Sequence, residues 1–292
     1  MDLTSLKTIK YIKDKYGFYM SKGLGQNFLT DKAVLEKIAE AAELDENSGA
    51  LEIGPGMGVL TNELAKHAKK VVSVELDLRL EEILKETLAE HNNIEVIFQD
   101  VLKTDLNALI KNKFSDCDKV SIAANLPYYI TTPIITYILE NRALDIDNVV
   151  IMVQKEVAER LCAAPGKKNC SALSALVHYY SVPEMITLVP ARVFAPPPKV
   201  DSAVVKLKIL KSPAVDVEDE TLFFKLVKAA FGQRRKTLLN ALQGFGGFNT
   251  SKDEFKEIFK NIGLTETVRG EQLSLEDFKN LTHELLKKKS VL

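Results

Sequence analysis

Four consecutive residues, Asn125, Leu126, Pro127 and Tyr128, follow the apolar run Val120 to Ala124. Asn125 carries a side-chain amide, and a carbonyl next to proline escapes a regular ladder. Tyr128 adds a flat aromatic face. Two acceptors and a ring are what is needed to hold an exocyclic amino group by its hydrogens and stack the base that bears it. Taken alone, Asn-X-Pro after a strand is equally an ordinary turn. Its meaning depends on what the neighbouring strands present.

Ahead of it runs Ala50-Leu51-Glu52-Ile53-Gly54-Pro55-Gly56-Met57-Gly58, followed by an amphipathic stretch, Val59 to Ala68. A short apolar run, a glycine turn and a helix open many nucleotide-binding α/β folds. The spacing here is Gly-X-Gly-X-Gly, because position 59 is Val. A dinucleotide fold places its third glycine one residue later. Pro55 also removes an N–H that a pyrophosphate would use. Both departures suit a cofactor that has an adenosine but no phosphate.

Two further apolar runs end in acids. Val71 to Val74 leads into Glu75, 21 residues after Gly54, where such folds place the carboxylate for ribose hydroxyls. Ile94 to Phe98 leads to Asp100, positioned to accept from an adenine amino group. Each acid alone reads as a solvated helix cap. The ordered series Gly54, Glu75, Asp100, Asn125 reads as the carboxyl edge of one parallel sheet, where ligands bind. Upstream, Gln26 and Asn27 supply amides just before Thr30-Asp31, which caps a helix expected over Lys32 to Leu44.

With these residues assembled, the chain resembles the ribosomal RNA adenine dimethyltransferases, which use S-adenosylmethionine. The similarity spans nearly the whole chain. It includes Gly25-Gln26-Asn27-Phe28-Leu29, the glycine loop, Glu75, Asp100 and Asn125-Leu126-Pro127-Tyr128-Tyr129. It continues through Val193 to Ser202, Phe231 to Leu238 and Arg269 to Ser274. The C-terminal segments are most similar to the bacterial small-subunit members; large-subunit rRNA methylases share the front half. The resemblance implies a Rossmann-like α/β fold, with a seven-stranded, mostly parallel sheet whose last strand is antiparallel. It implies a cofactor site of Gln26, Asn27, Leu29, Glu52, Gly54, Gly56, Glu75, Asp100 and Asn125. It implies a catalytic set of Asn125, Leu126, Pro127, Tyr128 and Phe194, with Phe194 closing the second face of the base.

The implied activity is N6,N6-dimethylation of adenosines, two adjacent ones, in 16S rRNA of the small subunit or its precursor. The alternatives are a 23S rRNA adenine methyltransferase, a methyltransferase for another amino group, or a non-catalytic rRNA-binding assembly factor. An intact cofactor constellation argues against the last, and the Phe194 segment and helical tail against an unrelated amino-group substrate.

The rest of the chain bounds this reading. Among 292 residues, 46% are hydrophobic, ample for a buried core. No apolar run approaches the ~20 residues that span a bilayer. The first thirty residues are polar and charged, with Leu3, Leu6, Ile9 and Ile12 spaced for a short amphipathic helix rather than a signal peptide. Cys117, Cys162 and Cys170 have no metal-ligand spacing, and His67, His91, His178 and His283 are scattered, so no metal is expected. A cytoplasmic monomer with reduced thiols is expected.

Net charge is −1, but it is unevenly placed. Glu75 to Asp100 holds eight acids and two bases; Arg192 to Asn240 holds ten bases and five acids. Arg234, Arg235 and Lys236, at the expected start of a helix over Lys236 to Leu242, and Lys199 are the candidates for RNA contact. Three cations at a helix N-terminus oppose its dipole, which points to an anionic partner. A composition break at Lys211-Ser212-Pro213 follows the alternating run Ala203 to Ile209. Beyond it the periods are helical: Leu222 to Phe231, Lys252 to Ile262 and Leu275 to Leu286. The expected domains are therefore 1–212, catalytic, and 213–292, helical and RNA-binding.

Overall fold

The computed structural model describes residues 1–19, 27–141 and 143–290, the last two of them by backbone alone. Gln26 lies outside the described residues. The elements, in chain order, begin with α1 (Leu6–Tyr16), β1 (Phe28–Leu29), α2 (Lys32–Ala41), β2 (Ser48–Ile53), α3 (Val59–Leu64) and β3 (Lys70–Glu75). Then come α4 (Glu81–Thr87), β4 (Ile94–Phe98), α5 (Leu106–Lys113), β5 (Lys119–Asn125), α6 (Thr131–Glu140), β6 (Asn148–Gln154), α7 (Lys155–Cys162) and α8 (Ala172–Tyr180). The chain ends with β7 (Ser181–Val189), β8 (Phe194–Ala195), β9 (Ser202–Ile209), α9 (Glu220–Gly232), α10 (Leu238–Phe245), α11 (Lys252–Asn261) and α12 (Leu275–Ser290).

Seven strands form one sheet in the order β4-β3-β2-β5-β6-β9-β7. The pairs from β4 through β6 are parallel, and β9 runs antiparallel to β6. This is the expected Rossmann-like architecture. Strands buried on both faces read as continuous apolar runs, and β2, β5, β6 and β9 are buried along nearly their whole length. That continuity is why their positions are visible in the sequence.

The sheet order puts the four strands of interest side by side. Glu75 stands opposite Phe98, Ile53 opposite Val74, and Glu52 opposite Ala123. The carboxyl ends of β4, β3, β2 and β5 are thus in register across the sheet. A separate two-stranded pairing joins Leu29 to Phe194 and Phe28 to Ala195. It brings the segment before the first sheet strand to the same edge.

The chain forms two compact units. The first comprises Met1–Ala158 and Pro183–Ile209; the second comprises Glu159–Val182 and Leu210–Leu292. The second is helical and takes in Glu159–Val182 as well as the C-terminal segment. Its core is aromatic: Tyr179, Phe223 and Phe278 are fully buried, with Tyr179 5.0 Å from Phe223 and Phe223 6.2 Å from Phe278. In α11, Ser251 and Glu254 cap each other's backbone N–H, which fixes the helix start.

Several boundaries differ from expectation. Helix α2 ends at Ala41 and α3 at Leu64, each a turn early. Helix α10 starts at Leu238, not Lys236, because the Thr237 hydroxyl accepts from Asn240 N and caps it there. Gln233 to Lys236 form the preceding turn. Arg234, Arg235 and Lys236 therefore follow the C-terminus of α9, where positive charge complements the dipole. The electrostatic reason for assigning them to an anionic partner falls away, although all three remain exposed.

Candidate active site

One cavity lies along the carboxyl edge of the sheet in the first unit. Asn27 and Leu29 before α2, Glu52, Gly54 and Gly56 of the glycine loop, and Glu75 and Asp100 line it. Asn125, Leu126, Pro127, Tyr128 and Phe194 line the same cavity, with Asn125 bonded to Asn27 and Phe194 paired with Leu29. The structure thus brings together every sequence-derived cofactor and catalytic residue that it describes. Lys199, Arg234, Arg235 and Lys236 do not line it.

The glycine loop is shaped for close approach. Gly54 has φ +72°, and a Cβ built there would meet no atom within 4 Å. The space next to it is open, and Gly54 lines the cavity. Gly58, at φ +83°, caps α3, and a Cβ there would press Leu88 at 2.8 Å. Here the glycine is required by packing as well as by backbone conformation.

Glu75 is buried at the end of β3. Its Oε2 accepts from Gly56 N at 3.1 Å and its Oε1 from Asp77 N at 2.8 Å. Burial pushes the carboxyl up, and these backbone donors pull it back. The same two bonds hold the glycine loop and the acid in one frame. Asp100 caps the turn that follows β4, its Oδ1 accepting from Leu102 N at 3.0 Å, with Lys103 3.6 Å from its Oδ2.

Glu52 differs from the other acids. It is 1% exposed, and its Oε2 accepts from the hydroxyls of Thr61 at 2.6 Å and Ser73 at 2.8 Å. Both donors are neutral. Burial raises its carboxyl to about 7, against the two hydroxyls, which lower it. Glu52 thus sits beneath the glycine loop and ties α3 and β3 to β2.

In the wall of the cavity, the Asn125 side-chain nitrogen donates to the Asn27 carbonyl at 3.3 Å. The Tyr128 hydroxyl shares a 2.8 Å hydrogen bond with Ser202 on β9, which fixes the ring's edge. Phe194 is 5% exposed and packs in the hydrophobic core while also lining the cavity. Thr30 anchors it, donating through both N and Oγ1 to the Val193 carbonyl at 2.8 Å. Tyr129, in contrast, is 56% exposed at the rim.

Sequence reasoning missed several contributors. Leu76 lines the cavity and stays exposed, although an apolar residue directly after a strand-end acid was a signal for one. Gln99 lines it beside Asp100. Thr61, Ser73 and Asp77 act through Glu52 and Glu75, and no local pattern marks such contacts. Among the described residues there is no group of three or more His, Cys, Asp or Glu that would hold a metal, and no helix long and apolar enough to cross a membrane.

A seven-stranded sheet with one antiparallel strand, a glycine loop and two strand-end acids facing one cavity defines a Rossmann-like methyltransferase. The chain belongs to the ribosomal RNA adenine dimethylase family, whose model matches residues 17–287. It is 47% identical over 286 residues to the ribosomal RNA small subunit methyltransferase A of Staphylococcus haemolyticus, covering 97% of this chain and 96% of that protein. The protein of the same name from Bacillus mycoides is also 47% identical, covering 98% of each. Among solved structures, a dimethyladenosine transferase from Plasmodium falciparum superposes with TM-score 0.73 at 30% identity, covering 90% of this chain and 98% of that one. The 23S rRNA methyltransferase ErmE superposes with TM-score 0.67 at 27% identity, covering 89% and 99%.

Proposed function

We propose that this enzyme transfers methyl groups from S-adenosylmethionine to the N6 amino groups of adenosines in 16S rRNA, twice per nitrogen. The observation that carries the reading is that Gly54, Glu75 and Asp100 line one cavity together with Asn125 and Tyr128. The small-subunit assignment rests on relatives at 47% identity over nearly the full length, against 27% for the 23S enzyme.

The residues fit the donor. The open space at Gly54 would take the methionine part, Glu75 the ribose hydroxyls and Asp100 the adenine amino group. The apolar side chain of Leu76 suits the adenine face. When bound, the donor supplies an electrophilic sulfonium methyl, so the protein's work is orientation rather than strong base catalysis. The target nitrogen is a poor nucleophile because its lone pair is delocalised into the base. Asn125 Oδ1 and the Leu126 carbonyl accept from that amino group and favour its tetrahedral form, which frees the lone pair. Tyr128 stacks one face of the base and Phe194 closes the other. A base in structured RNA must leave its stack to reach this pocket.

The enzyme acts as a cytoplasmic monomer on 16S rRNA within the small subunit or its precursor. The helical C-terminal unit, with Arg235, Lys236 and Arg234, and Lys199 of the first unit supply phosphate contacts. The test is incubation of methyl-labelled S-adenosylmethionine with 16S rRNA, with 23S rRNA and with assembled small subunits. Label is expected in 16S rRNA. Label confined to 23S rRNA would move the enzyme to the other branch, and no label in any substrate would favour an assembly factor.

A further inference from the structure

Beyond the residues that line the cavity, a chain of contacts runs around its outside from Glu75 to Asn125. Glu75 Oε1 accepts from Asp77 N at 2.8 Å. The buried Asp77 carboxylate holds the Arg79 guanidinium in a two-point grip, Nε to Oδ1 at 2.8 Å and Nη2 to Oδ2 at 2.6 Å. Arg79 Nη1 donates to the Tyr19 carbonyl at 3.4 Å, and its guanidinium lies 5.4 Å from the centre of the Phe18 ring. Phe18 is buried and sits 6.4 Å from Phe28, which lines the cavity. Next to Phe28 is Asn27, whose carbonyl receives the Asn125 amide.

The details of this chain argue against a generic surface ion pair. Arg79 is half exposed, so its pairing with Asp77 contributes little to stability by itself. Yet the paired bonds set the plane of the guanidinium, and they hold its charge over the Phe18 ring, 5.4 Å from the ring centre. A lysine would keep the charge and lose both the plane and the second bond. Arg79 does not line the cavity, so it touches neither donor nor base.

We propose that Arg79 is a positioning residue that couples donor binding at Glu75 to placement of Phe18, Tyr19 and Phe28, and through Asn27 to the Asn125 amide. Ligand contact with Glu75 constrains the backbone at Asp77, and this steadies the Arg79 plane against Phe18 and Tyr19. Ordering of Phe18 and Phe28 then fixes Asn27, the partner that orients Asn125. By reciprocity, loosening Arg79 weakens the donor site. The proposal rests on the reading of Glu75 as a donor contact.

The test uses the full-length protein. S-adenosylmethionine affinity is measured by calorimetry, and donor-induced hydrogen-exchange protection is followed at Phe18, Tyr19, Phe28 and Leu29. Wild type should bind and gain protection at these amides. Arg79→Gln and Arg79→Lys should both bind about fivefold to tenfold more weakly. Both should lose the protection at Phe18 and Tyr19 while keeping it in the glycine loop. Phe18→Leu combined with Arg79→Gln should be less than additive, because both interrupt the same chain. Wild-type affinity and protection in Arg79→Gln, full rescue by Arg79→Lys, or strict additivity of the pair would each overturn the coupling. A wild-type protein that does not bind S-adenosylmethionine would instead overturn the assignment of the cavity itself.

Discussion

The Asn125 amide nitrogen points at the Asn27 carbonyl, 3.3 Å away. An asparagine amide has a donor end and an acceptor end, and this contact commits the donor end to the protein. The acceptor end, Oδ1, has no donor among the described residues, which is what the proposed contact with an incoming amino group requires. A residue far away in sequence thus sets which end of the Asn125 amide is free.

On the proposed mechanism, Asn125→Ala removes an acceptor whose bond tightens as the target nitrogen becomes tetrahedral. Single-turnover transfer should fall about a hundredfold, the scale on which one oriented polar contact acts in a transition state. RNA affinity by filter binding should change far less. Equal losses in both would reduce Asn125 to a docking residue.

Phe194 is expected to act as a clamp, yet it is almost fully buried and packed in the core. Truncation to Ala therefore mixes two effects, a packing loss of about 3–5 kcal/mol and a stacking loss of ~1–3 kcal/mol. Phe194→Leu separates them by keeping most of the volume and removing the aromatic face. It should stay folded, with a melting temperature near wild type, and transfer methyl groups severalfold more slowly. A wild-type rate in Phe194→Leu would assign the residue to the core alone.

Glu52 sets a pH signature. Its folded carboxyl titrates at about 7, above the ordinary carboxylate value of 4.5, because it is buried. Between those values the unfolded chain releases the proton while the native chain keeps it. The stabilising contribution is therefore complete below about 4.5 and is lost as pH rises through 7, on the order of 3 kcal/mol in all. Glu52→Gln retains an acceptor for Thr61 and Ser73 and cannot ionise. Denaturant titrations from pH 5 to 8 should show this component of the fall in wild type and its absence in the variant. Parallel pH curves for the two proteins would remove Glu52 as its source.

The basic turn after α9 calls for a graded expectation. Arg234 is engaged with Glu271 at 3.2 Å, whereas Arg235 and Lys236 have no ion-pair partner among the described residues. If they meet phosphates, Arg235→Gln and Lys236→Gln should each lower the log–log salt slope of RNA binding by ~0.7–0.9, and Arg234→Gln by less. Donor affinity should be unchanged in all three. An unaltered slope in the double variant of Arg235 and Lys236 would place the RNA path elsewhere, over Lys199 or the lysines of α1.

Legibility in the sequence followed the physics of each element. Strands β2, β3 and β5 were visible because central parallel strands are largely apolar along their length, and the half-buried edge strand β4 by its apolar run alone. The apolar runs do not show that Leu29 pairs with Phe194, because a two-residue ladder leaves no period to detect. Helix ends were misplaced where one cap overrode the apolar pattern, as Thr237 does before α10. The cavity's first layer was legible residue by residue, carried largely by family resemblance. Its supports, Thr61 and Ser73 on Glu52, Asp77 on Glu75 and Ser202 on Tyr128, come from other elements and carry no local signal.

The central claim is transfer of two methyl groups to one adenine nitrogen at the Asn125 pocket. Its most direct measurement is mass analysis of nucleosides released from 16S rRNA after reaction with S-adenosylmethionine, for wild type and Asn125→Ala. N6,N6-dimethyladenosine should accumulate with wild type, with the monomethyl form only as an intermediate, and should nearly vanish with the variant. A methylated base other than adenine, monomethyladenosine as the end product, or undiminished dimethyladenosine with Asn125→Ala would contradict the account.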